Sequence, residues 1–414
     1  MQSAILPHIV SQHAEDASFL WLQRQEAVRA PHFDLLELAT LDGRVEAHLD
    51  GLRIAGGAGW EICSEVAAEE GVAGAFTLGV LAFESGSKER VYGLLERMSD
   101  APDIGAGLAA ALGWMPPSHA QRYIKFLLSA DTVAWRHIGI AAGAAHRELT
   151  DTAIGAALND PDALLRALAC RAAGELGRRE LLGQVRQQGR TEHETCRFYA
   201  AWSAALLGDK APVAFLRATA ESASQYAEMA MHMVVRVSEL SPARAWFRQL
   251  SALPNKLRLA IKAAGAIGAP EEVPWLIDLM HDPQLARLAA ESFTMITGAD
   301  LDRQYLKGEQ PEDFESGPSD NPEDDDVEMD PDEDLPWPKI TAVQDWWLEH
   351  RREFRSGTRY LLGRAISAAA LQQILREGRQ RQRAAAALDL ALHTPGALFE
   401  VRAPGFRQLA QLGR

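Results

Sequence analysis

Between Thr132 and Asp300 a helical pattern recurs about every thirty residues, and this internal repeat limits the folds open to the chain. Its clearest marker is a small or turn-forming residue that closes an Ala-rich stretch. The markers are His146, Gly177, Gly208, Ser238, Gly268 and Gly298. A unit of this length holds two short antiparallel helices, which cannot bury their apolar faces alone. The spacing therefore predicts a stack of helix pairs with one continuous core.

Each unit carries signals for where its helices start and stop. Asp160 and Pro161 precede an apolar-periodic stretch, which is typical of a helix start. The helix then runs to Gly177, where glycine can take the left-handed conformation that ends a helix. An alanine stands four positions before four of the markers, at Ala142, Ala173, Ala204 and Ala264. We expect these alanines at close helix contacts, where a larger side chain would push the helices apart.

The units resemble HEAT-like repeats of scaffold proteins, most clearly over Asp160 to Gly177 and Pro283 to Gly298. Composition agrees with a helical fold, because aromatic residues make up only 7% of the chain and alternating β-branched runs are scarce. The predicted fold class is all-α: a HEAT-like α-solenoid with a disordered acidic loop and a C-terminal helical segment. Repeat identity by itself implies a binding surface and no particular activity.

Charge divides the chain into zones. Residues 309–334 contain fourteen acidic residues and no Lys or Arg, and residues 339–414 contain thirteen basic residues against six acidic ones. We predict an N-terminal helical cap over 1–64, repeats over 65–306, a disordered acidic linker over 307–338 and a basic helical segment over 339–414. Two interpretations of the acidic run stay open: a passive linker, or a ligand for a basic surface. Because the run is tethered beside the basic segment, we expect contact between the two.

The compartment is predicted from what the sequence lacks. The first residues have neither the basic start nor the apolar block of a secretory signal, and the longest apolar run, 71–83, is too short to cross a membrane. The three cysteines, Cys63, Cys170 and Cys196, show no metal-ligand spacing, and their odd number argues against a disulfide framework. We expect a cytoplasmic protein that does not insert into membranes.

Sequence motifs for catalysis are missing. There is no phosphate-binding GxxxxGK[ST] loop, no GxSxG elbow and no HExxH metal helix. A di-iron centre on helical repeats would need several His-Glu pairs, and His193-Glu194 is a single one, which indicates a helix start. His48, His146 and His232 are expected to pack or cap. We therefore predict a non-enzymatic protein with no catalytic, cofactor-binding or metal-binding residue.

Nucleic-acid binding is the alternative to a protein partner. A local arginine cluster could neutralise phosphates: Arg166, Arg171, Arg178, Arg179, Arg186 and Arg190. Phosphate binding needs a net basic face, and residues 1–308 are net acidic. The sequence therefore favours arginines that are solvated or paired with acids, and nucleic acid remains the second hypothesis.

Three local stretches resemble one bacterial family. They are Leu41 to Leu52, Asp334 to Pro338, and Gly357 to Gly363 together with Gln380 to Ala384. These stretches are similar to a proteobacterial HEAT-like repeat family without defined activity, whose genes are often found near type VI secretion loci. The resemblance implies a protein-binding scaffold that acts as adaptor, chaperone or immunity protein for a secretion effector or structural component.

The residues expected to bind a partner are cations and aromatics within or near these stretches, together with three arginines of the repeat cluster. Arg44 and His48 would share a helix face, and Arg359 and Tyr360 could stack on the tryptophans at the linker exit. A helical element is expected over Gly357 to Ala370. The predicted partner-binding residues are Arg44, His48, Arg166, Arg178, Arg179, Trp337, Trp346, Trp347, Arg359, Tyr360, Arg381 and Arg383.

Overall fold

The chain folds into two compact units. A computed structural model describes residues 5–97, 104–312, 314–315, 317, 329–394 and 396–413. Unit 1 comprises residues 1–209 and 395–414, and unit 2 comprises residues 210–394. The described part contains 21 α-helices and a single two-stranded sheet. The prediction of an all-α fold is thus confirmed.

The described residues of unit 1 form twelve α-helices. They are α1 (Pro7–Ala27), α2 (Leu35–Val66), α3 (Gly71–Ser85), α4 (Lys88–Arg97), α5 (Ile104–Trp114), α6 (Pro117–Leu128), α7 (Val133–Ala145), α8 (Asp151–Leu158), α9 (Ala163–Glu175), α10 (Leu182–Gln188), α11 (Glu194–Leu206) and the C-terminal α21 (Gly405–Gln411). A 3₁₀ turn at Arg179–Leu181 leads into α10.

Alternate helices of unit 1 pack on one another. Helix α3 contacts α5, α5 contacts α7, α7 contacts α9 and α9 contacts α11, while α6, α8 and α10 pack beside them. The alanines expected at close contacts are confirmed: Ala142 and Ala173 are fully buried, and Ala204 is nearly so. Their small side chains let neighbouring helices approach closely, so the pairs stack.

Unit 2 repeats this arrangement and adds the residues that follow the repeats. Its helices are α12 (Val213–Glu221), α13 (Ala227–Val237), α14 (Leu240–Ser251), α15 (Leu257–Ile267), α16 (Val273–Leu279), α17 (Ala286–Thr297), α18 (Ile340–His350), α19 (Ala368–Glu377) and α20 (Gln380–His393). The 3₁₀ turns are Pro254–Lys256, Pro270–Glu272 and Arg351–Glu353. Helix α13 packs on α15 and α15 on α17, and α19 pairs with α20.

The marker glycines end helices as the repeat predicts. Gly268 and Gly298 directly follow α15 and α17 and have φ of 71° and 74°. Gly177 and Gly208 also have positive φ, at 66° and 97°. Glycine tolerates this left-handed conformation because it has no Cβ.

The expected helical element over Gly357 to Ala370 is wrong in its first half. Residues Tyr360–Leu361 (β1) and Arg364–Ala365 (β2) pair antiparallel, and α19 begins only at Ala368. The two turn residues, Leu362 and Gly363, both have positive φ, at 50° and 72°. Two such residues form the tight turn that suits the twist of a hairpin.

The hairpin lies against the ends of repeat helices within unit 2. The Tyr360 amide donates to the Gly268 carbonyl at 2.8 Å, and the Leu362 and Gly363 amides donate to Met295 and Ile296 carbonyls at 2.8 and 3.0 Å. Carbonyls at helix C-termini have no partner inside the helix. The hairpin therefore satisfies acceptors that the repeat leaves open.

Residues 339–414, expected as one segment, are divided between the units. Residues through Thr394 belong to unit 2, and the chain from 396 onward lies on unit 1. There the Leu398 amide donates to the Glu175 carbonyl at 2.8 Å, and the Gly405 amide donates to Asp42 at 2.5 Å. The last residues are thus part of the unit that contains the first ones.

Candidate functional site: an exposed apolar face and the anchored acidic loop

The predicted partner-binding residues of unit 1 do not form one cluster of contacts. Arg44 is exposed on α2, and His48 lies beside His13, with 3.2 Å between the two Nδ1 atoms. Arg166 donates to the Asp160 and Pro161 carbonyls at 2.8 Å each. Arg178 donates to the Leu149 carbonyl at 3.0 Å and pairs with Asp151 at 3.3 Å. Arg179 is exposed.

The arginine cluster of the repeats is used largely within unit 1. Arg171 donates to Glu175 at 2.8 Å and Arg186 pairs with Asp209 at 2.6 Å. The Arg171 contact lies within α9, Arg166 and Arg178 contact residues that precede them in the chain, and Arg186 contacts the residue that follows Gly208. Guanidinium groups held in this way are less available to phosphates.

In unit 2 the predicted aromatic residues lie in three separate groups of ring contacts. Trp337 packs edge-on against Phe314 with 4.8 Å between ring centroids. Trp346 stacks on His350 at 4.1 Å and meets Phe293 at 5.6 Å. Further along, Trp347 meets Phe354 at 5.5 Å, and Phe354 meets Tyr360 at 5.0 Å.

Several of the predicted cationic contacts are corrected. Arg359 donates to the Ser238 carbonyl at 2.7 Å instead of covering a tryptophan. Arg381 binds both carboxylate oxygens of Glu291 at 2.9 Å. Arg383 is fully buried and donates to the Leu375 carbonyl at 2.8 Å and to Gln380. A fully buried Arg383 lies in the core of unit 2, which removes it from any partner-binding surface.

Within the described residues, Asp330 and Asp332 of the acidic run contact repeat helices. The expected contact of the run with the C-terminal basic segment stays a prediction. Asp332, 4% exposed, accepts from Arg258 of α15 at 2.6 Å, and its carbonyl accepts from Arg287 of α17 at 3.0 Å. Arg287 also pairs with Asp330 at 2.5 Å and lies 4.6 Å from the Trp337 ring centroid. We call these five residues, Arg258, Arg287, Asp330, Asp332 and Trp337, the loop clamp.

The loop also closes at its neck. The Gly308 amide donates to the Trp337 carbonyl and the Lys339 amide to the Leu306 carbonyl, both at 2.7 Å. The two ends of the acidic segment are therefore held side by side. The predicted disorder of residues 313, 316 and 318–328 lies outside the described residues.

The histidines expected to pack or cap have pKa values that agree with burial. Burial lowers the pKa of His48, His146 and His232 below the usual histidine range. His193 caps α11 by accepting from the Cys196 amide at 3.4 Å, so the expected helix start is confirmed. Within the described residues no group of His, Cys, Asp or Glu could hold a metal ion, and no helix combines the length and hydropathy needed to cross a membrane.

The sequence did not predict that large apolar side chains of the first helix pair of unit 1 are exposed. Seven large apolar side chains of the first helix pair and the residues before it are exposed, from 41% for Ile9 and Leu22 to 86% for Ile54. We call them the N-terminal apolar face: Ile5, Leu6, Ile9, Phe19, Leu22, Leu36 and Ile54. The sequence of α1 carried a signal for this exposure, because its apolar residues lie on all sides of the helix. Leu20 and Trp21 are buried, and Phe19 and Leu22 are exposed.

Comparisons with known proteins add no relative to this description. No family model, no curated protein and no solved structure matches the chain. The resemblance of the three sequence stretches to a family near type VI secretion loci therefore stays a prediction.

Proposed function

We propose that this protein is a non-enzymatic scaffold that binds another protein through its N-terminal apolar face. The observation that carries the proposal is the exposure of seven large apolar side chains on and beside the first helix pair. Exposed apolar surface on a folded protein commonly marks a contact with a macromolecular partner.

The exposure within this helix pair supports the proposal. Helices α1 and α2 pack on each other and both contact α3, yet several of their large apolar side chains face water. Here Phe19 is 57% exposed on α1, and Leu36 and Ile54 are 56% and 86% exposed on α2. Covering one such side chain completely contributes about 1.5–3 kcal/mol.

The class of partner comes from the sequence resemblance alone. It predicts a secretion effector or structural component, with this chain as adaptor, chaperone or immunity protein. The alternative, nucleic-acid binding, has no specific observation in its favour, because Arg166, Arg171, Arg178 and Arg186 make contacts within their own unit.

The test compares copurified proteins between two variants. Tagged Phe19→Asp/Ile54→Asp protein and tagged Leu253→Asp protein, both produced in the native host, are purified with and without nuclease. Leu253 is a matched control because it is 47% exposed and lies in unit 2. We expect a stoichiometric partner with the wild type and the control, lost at least tenfold with the double variant and insensitive to nuclease.

Two results would count against the proposal. A partner that remains with the double variant would place the interface elsewhere. Recovery that depends on intact nucleic acid would favour the arginine cluster and the nucleic-acid hypothesis.

A further inference from the structure

A cavity of about 230 Å³ lies in unit 1, where the C-terminal chain crosses the first helices. One part of its wall is apolar, with Trp21, Trp114 and small side chains such as Ala109 and Ala141. The other part carries three arginines, Arg24, Arg402 and Arg407, and one carboxylate, Glu400. Apolar walls with a few converging polar groups are typical of small-molecule sites.

The three arginines differ in how their charge is balanced. Arg24, 4% exposed, is paired with the fully buried Asp42 at 3.0 Å and donates to the Arg402 and Ala403 carbonyls at 2.6 and 2.9 Å. This arginine holds the C-terminal chain in place. Asp42 neutralises the charge of Arg24. Arg24 therefore forms part of the cavity wall but adds little net positive charge.

In the described residues, neither Arg407 nor Arg402 forms an ion pair with a carboxylate. Arg407 donates to the Gly113 and Met115 carbonyls at 2.8 and 3.0 Å, which fixes the guanidinium at the C-terminus of α5. The described residues provide no hydrogen bond and no ion pair for the Arg402 guanidinium, and Arg402 is exposed at the cavity. Glu400, the carboxylate in the wall, pairs with Arg147 at 3.2 Å.

The electrostatics of the cavity follow from this imbalance. Desolvation, and then the charge of nearby Arg171, lower the pKa of Arg402. Desolvation and the charge of Arg24 also lower the pKa of Arg407. Both arginines stay protonated at neutral pH, since an ordinary guanidinium pKa is above about 12. Nearby carboxylates act in the opposite direction, Glu400 and Glu175 on Arg402 and Glu148 on Arg407, but the net effect is a lowered pKa for each arginine.

We propose that this cavity binds a small molecule that carries a carboxylate on a compact apolar body. The carboxylate meets Arg402 and Arg407, and the apolar body lies against Trp21 and Trp114. Arginine suits a carboxylate because its planar donors match the two oxygens. The volume is below the roughly 300–1,000 Å³ of drug-sized sites, so the ligand is small.

The first experiment separates charge from apolar contact. Binding of benzoate, benzamide, acetate and inorganic phosphate to the full-length protein is measured by calorimetry at low ionic strength. Benzamide has the ring without the charge, while acetate and phosphate have charge without the ring. We expect benzoate to bind at least tenfold more tightly than the other three. Equal binding of benzoate and benzamide, or no binding of benzoate, overturns the proposal.

The second experiment removes the unpartnered arginine. Arg402→Gln is expected to weaken benzoate binding about tenfold or more, because it removes a charge-assisted contact. Arg97→Gln, an exposed change on α4, is the control and should bind as the wild type does. Both variants should unfold at the wild-type temperature, since neither side chain makes a hydrogen bond or an ion pair in the described residues. Unchanged benzoate affinity in Arg402→Gln contradicts the assignment.

A third measurement identifies the source of the carboxylate. A short peptide ending in Phe, with a free or an amidated C-terminus, competes with benzoate. Displacement by the free form alone assigns the site to a chain terminus, and no displacement assigns it to a free acid. Displacement by both forms overturns the carboxylate proposal.

Discussion

At the residue scale, the glycines that end repeat helices also make room for another part of the chain. A Cβ on Gly268 would lie 2.1 Å from the Tyr360 carbonyl oxygen, and one on Gly298 would lie 2.6 Å from the Leu362 backbone. In unit 1, a Cβ on Gly177 would approach Gly396 to 2.9 Å. The same small residue thus permits the left-handed turn and the close passage of the chain.

Replacing Gly268 tests whether the close approach of the Tyr360 backbone requires glycine there in addition to the positive φ. Gly268→Ala should destabilise unit 2 more than Gly357→Ala, because the two glycines have φ of 71° and 76° but nothing lies within 4 Å of a Cβ on Gly357. Alanine in this conformation costs about 1–2 kcal/mol at either site. We expect Gly268→Ala to lower the calorimetric midpoint by a further 2–4 °C or more, about 1 kcal/mol. Equal shifts would mean that the hairpin moves away from the added methyl group without a loss of stability.

At the element scale, the acidic run is held by cations of the repeat. Asp332 meets Arg258 on α15 and Asp330 meets Arg287 on α17, two helices that pack on each other. The sequence predicted a contact of the run with the C-terminal basic segment, and the described contacts add the repeat helices as a partner. Two cations of the C-terminal segment are already engaged, since Arg381 is bound to Glu291 and Arg383 is buried.

The loop clamp depends most on Arg287, which is 6% exposed and contacts four groups of the loop: Asp330, the Asp332 carbonyl and the rings of Phe314 and Trp337. Arg287→Ala should release residues 329–338, because it leaves Asp330 and the Asp332 carbonyl without this donor. Hydrogen exchange read by mass spectrometry should become at least several-fold faster in this segment. Arg303→Ala, at a side chain 86% exposed, is the control and should leave the exchange unchanged. Unaltered exchange in Arg287→Ala would show that Arg258 and the neck suffice.

At the scale of the whole molecule, buried histidines couple stability to pH. Burial lowers the pKa of His146, whose Nε2 lies 2.7 Å from the Leu112 carbonyl oxygen. In the unfolded chain a histidine has a pKa of about 6.5. The contribution of neutral His146 is therefore complete above about pH 6.5 and is lost as the pH falls from there toward the lower folded pKa.

A glutamine at this position should remove that dependence. His146→Gln keeps a donor for the Leu112 carbonyl but cannot be protonated in the unfolded chain. Between pH 7.5 and 5.5 we expect the thermal midpoint of unit 1 to fall less in His146→Gln than in the wild type. His119→Gln, at an exposed position of the same unit, should follow the wild type. Identical pH profiles for all three proteins would rule out His146 as a source of the dependence.

The repeat fold was readable from the sequence because its signals are local. Glycine at a fixed spacing ends helices, and alanine four positions earlier permits close packing, as Gly177 and Ala173 illustrate. The hairpin at Tyr360 was missed because its turn uses Leu362, which rarely takes positive φ. Such a conformation depends on contacts with α15 and α17, which are distant in sequence.

The sequence by itself determined the all-α fold, the repeat spacing and the helix ends, since each follows from neighbouring residues. Only the tertiary structure decided which charges meet. It paired Asp332 with Arg258, buried Arg383 and brought Arg402 beside Trp21 and Trp114. The physical reason is range: helix formation is governed by contacts within a few residues, whereas a cavity or an ion pair joins positions tens to hundreds of residues apart.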